Sequence, residues 1–79
     1  MARYYFDLID GQTLHDEHGQ EMPNLPAVRD EAARILGEIV RDEFPGDGSE
    51  RELRVRVRDA GGTEVMVVSL NYDVNPPLS

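Results

Sequence analysis

The chain contains no cysteine, no lysine and no tryptophan, and its apolar runs are all far shorter than a membrane span. The absence of cysteine excludes a disulfide framework, a thiolate metal site and a cysteine nucleophile. A membrane-spanning helix needs about 20 predominantly apolar residues, so none is expected. The first residues also lack the apolar segment of a signal peptide, and we therefore expect a cytoplasmic protein.

Acidic residues outnumber basic ones by 16 to 8, and all the basic residues are arginines. The net charge of −8 and the pI of about 4.5 disfavour binding to phosphates, so we expect no nucleic-acid partner and no membrane partner. A length of 79 residues and an apolar content of 39% predict one folded domain. The core of so small a domain often supplies only about 3–5 kcal/mol, which favours reinforcement by self-association.

The first half of the chain predicts a strand, a short return strand and a helix. Residues 3–9 alternate between two faces and end at an Asp-Gly turn, and residues 13–15 are expected to form the return strand. Residues 24–43 predict an amphipathic helix with Asn24 as its N-cap and Pro26 in its first turn. Its apolar arc consists of Leu25, Val28, Ala32, Ile35, Leu36, Ile39 and Val40. A loop is expected at residues 44–48, where a proline and two glycines end the helix.

The second half predicts a β-hairpin, with strands at residues 52–59 and 63–72 and a turn at Gly61 and Gly62. A two-residue loop at the glycines would place every apolar residue of the first strand opposite an apolar residue of the second. These pairs are Leu53 with Leu70, Val55 with Val68, and Val57 with Met66. The same pairing would place Val65, Val67 and Ser69 beside Arg58, Arg56 and Arg54, respectively.

These elements predict an α+β domain of β-β-α-β-β order, in which one helix packs on one face of an antiparallel sheet of about four strands. We assign residues 1–74 to this single domain. Residues 75–79 include two prolines and are expected to form a flexible C-terminal tail. The order of the strands within the sheet stays open at this point.

One short run, His15-Asp16-Glu17-His18, carries side chains suited to metal binding or acid–base chemistry. Adjacent residues in a loop seldom converge on one ion, and the spacing matches neither an EF-hand nor a His-Glu-x-x-His helix. We therefore predict no metal, no cofactor and no catalytic residue, and expect that the protein is not an enzyme. A metal-binding or small-ligand-binding module stays open as an alternative function.

The sheet face away from the helix is the surface that we predict to be functional. Arg54, Arg56 and Arg58 occupy alternate positions of one strand and therefore share that face. Arginine, tyrosine and exposed β-branched side chains favour a protein interface, and the candidates are Arg54, Arg56, Arg58, Val65, Val67, Tyr5 and Asp7. We expect a homodimer through this face, in which an arginine can pair with a carboxylate such as Asp7 across the two-fold axis, with pairing of edge strands as the alternative geometry. A solvated sheet face whose arginines pair with Asp7 or neighbouring acids stays open as the other interpretation. The predicted function is a self-associating protein-interaction domain.

Several stretches resemble a family of short bacterial proteins of unknown function. Residues 3–11, with the sequence RYYFDLIDG, fit the family's opening motif Arg-Tyr-[Tyr/Phe]-Phe-x-[Leu/Val]-x-Asp-Gly. The similarity continues through residues 16–25, the alanine-rich helix at residues 27–39 and the hairpin at residues 57–62. This resemblance implies no activity and no catalytic residue. A weaker similarity, to antitoxins of the HicB type, implies an alternative function as a regulator that binds a small protein partner.

Overall fold

The computed structural model describes residues 1–43 and 50–73, which form five β-strands and one α-helix. In chain order these are β1 (Ala2–Asp10), β2 (Gln12–Leu14), β3 (Gln20–Met22), α1 (Leu25–Glu43), β4 (Glu50–Asp59) and β5 (Glu64–Asp73). The α+β class and the order of strand, strand, helix, strand, strand are confirmed, and β3 is an additional short strand. The loop expected at residues 44–48 and the tail at residues 75–79 lie outside the described residues.

The strands form one antiparallel sheet of order β2-β1-β4-β5, in which β1 and β4 are central. Both short strands pair with the same edge of β1. β3 lies beside its beginning, where Ala2 faces Met22, and β2 lies beside its end, where Leu8 faces Leu14. The opposite edge of the sheet is β5, and no strand among the described residues pairs with the outer side of β5.

The hairpin of β4 and β5 has the predicted apolar pairs but a longer connection. The pairs are Leu53 with Leu70, Val55 with Val68, and Val57 with Met66. Four residues, 60–63, connect the strands, and Asp59 Oδ1 stabilises the turn by accepting hydrogen bonds from the N–H groups of Gly61 (2.9 Å) and Thr63 (2.9 Å). The register shifts between Val57 and Arg58, so that Arg58 faces Glu64. The predicted pairing of Arg58 with Val65 is therefore wrong, because the bulge compensates for the longer turn.

The core lies between α1 and one face of the sheet. Its buried hydrophobic residues are Phe6, Val28, Ala32, Leu36, Leu53, Val55 and Val57. Half-buried residues pack around them, among them Tyr4, Leu8, Met22, Ile35, Ile39, Val40, Met66, Val68 and Leu70. Leu25 departs from the predicted apolar arc, since it is 48% exposed at the first residue of the helix. The buried face of α1 therefore begins at Val28, three residues later.

The beginning of α1 follows the predicted capping. Asn24 Oδ1 accepts a hydrogen bond from the Ala27 N–H (2.9 Å), and its backbone carbonyl accepts one from the Val28 N–H (3.3 Å). These bonds satisfy amide groups that the first turn of a helix leaves without internal partners. Within residues 1–43 and 50–73, no helix combines the length and the apolar character needed to cross a membrane.

Candidate functional site

Asp7 is a buried carboxylate at the middle of β1, on the sheet face away from the helix, with 0% of its surface exposed. Arg56 lies directly opposite it on β4, and Arg58 lies opposite Tyr5. Arg58 binds Asp7 through two hydrogen bonds, from Nε to Oδ2 (2.7 Å) and from Nη2 to Oδ1 (3.0 Å). Its guanidinium also lies over the Tyr5 ring, 5.2 Å from the centroid. Paired planar groups of this kind keep a buried carboxylate charged.

The Asp16 carboxylate accepts a hydrogen bond from β1 at the part of its edge that lies between the pairings with β2 and β3. Residues 15–19, which we call the Asp16 loop, leave the sheet edge between β2 and β3. Opposite this gap, the Phe6 N–H of β1 donates a hydrogen bond to Asp16 Oδ2 (3.1 Å). Asp16 Oδ1 accepts hydrogen bonds from the N–H groups of His18 (3.0 Å) and Gly19 (3.1 Å) within the loop itself. The carboxylate therefore satisfies the backbone of both the strand and the loop.

The backbone of Asp16 joins the loop to the buried ion pair. Its N–H donates to Asp7 Oδ1 (3.0 Å), and its carbonyl oxygen accepts a hydrogen bond from Arg58 Nη2 (3.2 Å). Arg56 approaches the same group less closely, with Nη2 at 3.6 Å from Asp7 Oδ2. The Asp16 loop, β1 and β4 are thus held together by one network around Asp7.

The network shifts the pKa values of both carboxyl groups in the same direction. Burial acts to raise the pKa of Asp7, but the hydrogen bonds from Arg58 and the Asp16 N–H, with the nearby charges of Arg58 and His15, hold it below its ordinary value. Burial also acts to raise the pKa of Asp16, and hydrogen bonds from three backbone N–H groups outweigh it. Both groups therefore bind protons more weakly in the folded chain than in the unfolded one.

We expect these carboxylates to make the fold sensitive to acid. A lowered folded-state pKa adds stability that is present above the ordinary pKa of about 4 and is lost as the pH falls through the lower folded-state pKa. The free energy of unfolding, measured with urea, should therefore decrease from about pH 5 downwards. Asp16→Asn should flatten this dependence, whereas Asp30→Asn on the exposed side of α1 should leave it unchanged. An equally steep dependence in Asp16→Asn would contradict the assignment.

Gly19 closes the Asp16 loop in a conformation that only glycine adopts easily, with φ at 72°. A Cβ atom there would lie 2.9 Å from the backbone oxygen of Tyr4, whereas at Gly11, with φ at 73°, it would meet nothing within 4 Å. We expect Gly11→Ala to cost about 1–2 kcal/mol through its backbone alone. Gly19→Ala should cost more, because strand β1 must also move. Equal urea midpoints for the two variants would contradict the close approach of Gly19 to the backbone of Tyr4.

β5 presents apolar residues along an edge that pairs with no strand in the described part of the chain. Val65 and Val67 are 37% and 44% exposed on the side away from the helix, while Met66, Val68 and Leu70 alternate with them and are half-buried on the helix side. Glu64 and Asp73 are the only charged residues of the strand and lie at its two ends. The strand therefore offers eight uncharged residues, 65–72, in succession.

These features lie within a region shared with a known family. A family model described as a domain of unknown function (DUF6894) matches residues 3–71. The chain belongs to the DUF6894 family. The matched region of this DUF6894 domain runs from β1 through most of β5, and the expected relation to a family of unknown function is confirmed to that extent. No curated protein and no solved structure matches the chain significantly.

In the DUF6894 domain, the predicted interface residues fall into two groups. Asp7, Arg58 and Tyr5 belong to one network within the chain, in which Asp7 pairs with Arg58. The accessible group comprises Arg54, Arg56, Val65 and Val67, of which Arg56 is partly covered. The accessible part of the predicted surface therefore lies on β4 and β5.

The histidines of the DUF6894 domain lie at the rim of the network. His15 Nδ1 is 3.8 Å from Asp7 Oδ1, and the carboxylate of Asp16 between the two histidines is occupied by backbone N–H groups. Across residues 1–43 and 50–73, no group of three or more histidine, aspartate or glutamate side chains is arranged to hold a metal ion. The sequence does not predict the structural role of Asp16, although an aspartate three residues before a glycine is a common turn pattern.

Proposed function

We propose that this DUF6894 domain is a non-enzymatic protein-interaction domain that associates with a second copy of itself. The observation that carries the proposal is β5, a ten-residue edge strand with exposed valines and without any lysine or proline. Sheets usually protect such an edge with charged residues, prolines, bulges or very short strands. A bulge lies near the beginning of β5, and no strand among the described residues pairs with the outer side of the regular part that follows it.

The hydrogen bonds that Asp7 and Asp16 accept support a function without catalysis. Carboxyl groups with shifted pKa values are often candidates for acid–base chemistry. Here the oxygens of Asp7 and Asp16 accept hydrogen bonds from Arg58 and from backbone N–H groups. The two carboxylates therefore hold the sheet and the Asp16 loop together, so their negative charges have a structural role.

Light scattering over protein concentrations of about 10–100 μM tests self-association. The expected mass is twice the 8.9 kDa of the single chain, with dissociation on dilution. The measurement belongs at about 0.15 M salt, because each chain carries a charge of −8 and repulsion must be screened. A mass of 8.9 kDa throughout this range would overturn the proposal.

A further inference from the structure

We infer that two copies associate by antiparallel pairing of β5 with β5, which makes one continuous sheet from two domains. This inference rests on the proposed self-association and specifies its geometry. The two edges of the sheet differ in a way that selects β5. The outer edge of β1 is occupied by β2, by β3 and, between them, by the Asp16 carboxylate on the Phe6 N–H. The outer edge of β5 has no partner strand among the described residues.

The regular part of β5, residues 66–73, limits the symmetric registers. A closed antiparallel pair of identical strands has its two-fold axis perpendicular to the sheet, so each residue keeps its face. Directly opposite residues within the regular part are therefore separated by an even number of positions in the sequence. The bulge before Met66 places Glu64 opposite Arg58, on the same face as Asp73, which lies opposite Glu50. A register centred on Val68 leaves Asp73 beyond the paired residues, so the two acids do not meet.

The register centred on Val68 matches the apolar residues best. Within the regular part of β5 it pairs residues 66–70, with Val68 opposite Val68 of the second copy and Met66 opposite Leu70. A register centred on Val67 would pair only residues 66–68. A register centred on Ser69 would place polar Ser69 at the axis and exposed Val67 opposite polar Asn71. Pairing about Val68 is therefore the geometry that we assign.

This register also continues an apolar row that each domain already contains. Leu8 of β1 lies opposite Val55 of β4, and Val55 lies opposite Val68 of β5. At the two-fold axis the row passes from Val68 to Val68 and runs on to Leu8 of the second copy. Half-buried side chains on the helix side would thereby lose water contact, and both helices would lie on the same face of the joined sheet.

A single engineered cysteine tests the pairing, because the chain has none of its own. Cα atoms of opposite residues in an antiparallel pair are about 4.5–5.5 Å apart, within the range of a disulfide. Val68→Cys should therefore form an intermolecular disulfide in a glutathione buffer. Leu14→Cys, exposed on β2 at the other edge, is the matched control and should cross-link only through collisions. Should Val68→Cys fail to fold, a mixture of Met66→Cys and Leu70→Cys chains should give the mixed disulfide.

The variant Val67→Glu distinguishes a dimer formed by edge pairing from a dimer formed by stacking of the helix-free faces. Val67 points away from the helix, so edge pairing predicts a change in the dimer dissociation constant of less than about tenfold. Stacked faces would bury Val67, and the same change would weaken that dimer by more than about 100-fold. Leu14→Glu adds an equal charge at the other edge as the control. A wild-type chain that stays monomeric would overturn the self-association itself. A wild-type dimer that Val67→Glu dissociates, with no cross-link at position 68 above the control, would overturn only the strand pairing.

Discussion

Asp7→Ala is expected to lower the free energy of unfolding by roughly 2–4 kcal/mol, a large share of the stability of so small a domain. The change leaves the Arg58 guanidinium without its carboxylate and the Asp16 N–H without its acceptor. Removing one member of a buried ion pair costs more than the pair contributes, because the other member stays desolvated. Urea unfolding at neutral pH measures the effect.

Two further variants show whether the loss comes from the network. Asp73→Ala replaces an exposed aspartate of β5 and should change the free energy of unfolding by less than about 0.5 kcal/mol. Arg58→Ala should cost less in the Asp7→Ala background than in the wild type, since the two residues act together. A loss for Asp7→Ala no larger than that for Asp73→Ala would show that Asp7 is not part of a stabilising network.

Leu36→Ala is expected to lower the free energy of unfolding by roughly 2–5 kcal/mol. Leu36 is 3% exposed and belongs to the contact of α1 with the sheet, so the smaller side chain would leave a cavity. Leu25→Ala removes the same atoms at a position that is 48% exposed, and it should cost less than about 1 kcal/mol. Similar urea midpoints for these two variants would contradict the assigned packing of the helix.

The periodicities of the sequence predict the layers of the fold, because burial selects which positions are apolar. A period of two at Leu53, Val55 and Val57 and a 3.6-residue period through Val28, Ala32 and Leu36 place these residues correctly in the core. The cap at Asn24 is also predictable, since it depends on bonds within one turn.

Features that depend on distant backbone contacts are not predictable in this way. β3 is three residues long and lacks an alternating pattern, and it exists because β1 provides an edge for it. Asp16 bonds to the Phe6 N–H, which local sequence does not place beside it. The alternation of β1 places Asp7 on the face away from the helix, where solvent is expected, but the Asp16 loop and the arginines of β4 cover it.

Burial of Asp7 sets Arg58 apart from the other arginines that share its face of β4. Arg58 is held by Asp7 and Asp16 within one chain, so its charge is already compensated. The network occupies one edge of the sheet, and the exposed valines Val65 and Val67 lie on β5 at the opposite edge. The proposed self-association rests on a difference between the two edges: the edge of β1 is occupied by β2, β3 and Asp16, and the outer edge of β5 pairs with no strand among residues 1–43 and 50–73.

Hydrogen exchange along β5 tests most directly that this edge is where two domains meet. In the single domain, alternate backbone N–H groups of β5 point outwards and exchange with water, and pairing with a second β5 would protect them. The measurement compares samples about tenfold below and tenfold above the dissociation constant found by light scattering. We predict slower exchange at the higher concentration for outward-pointing amides of residues 66–70, with no change in β2 and β3. Equal exchange rates in β5 at both concentrations, in a sample shown to be dimeric at the higher one, would contradict the account.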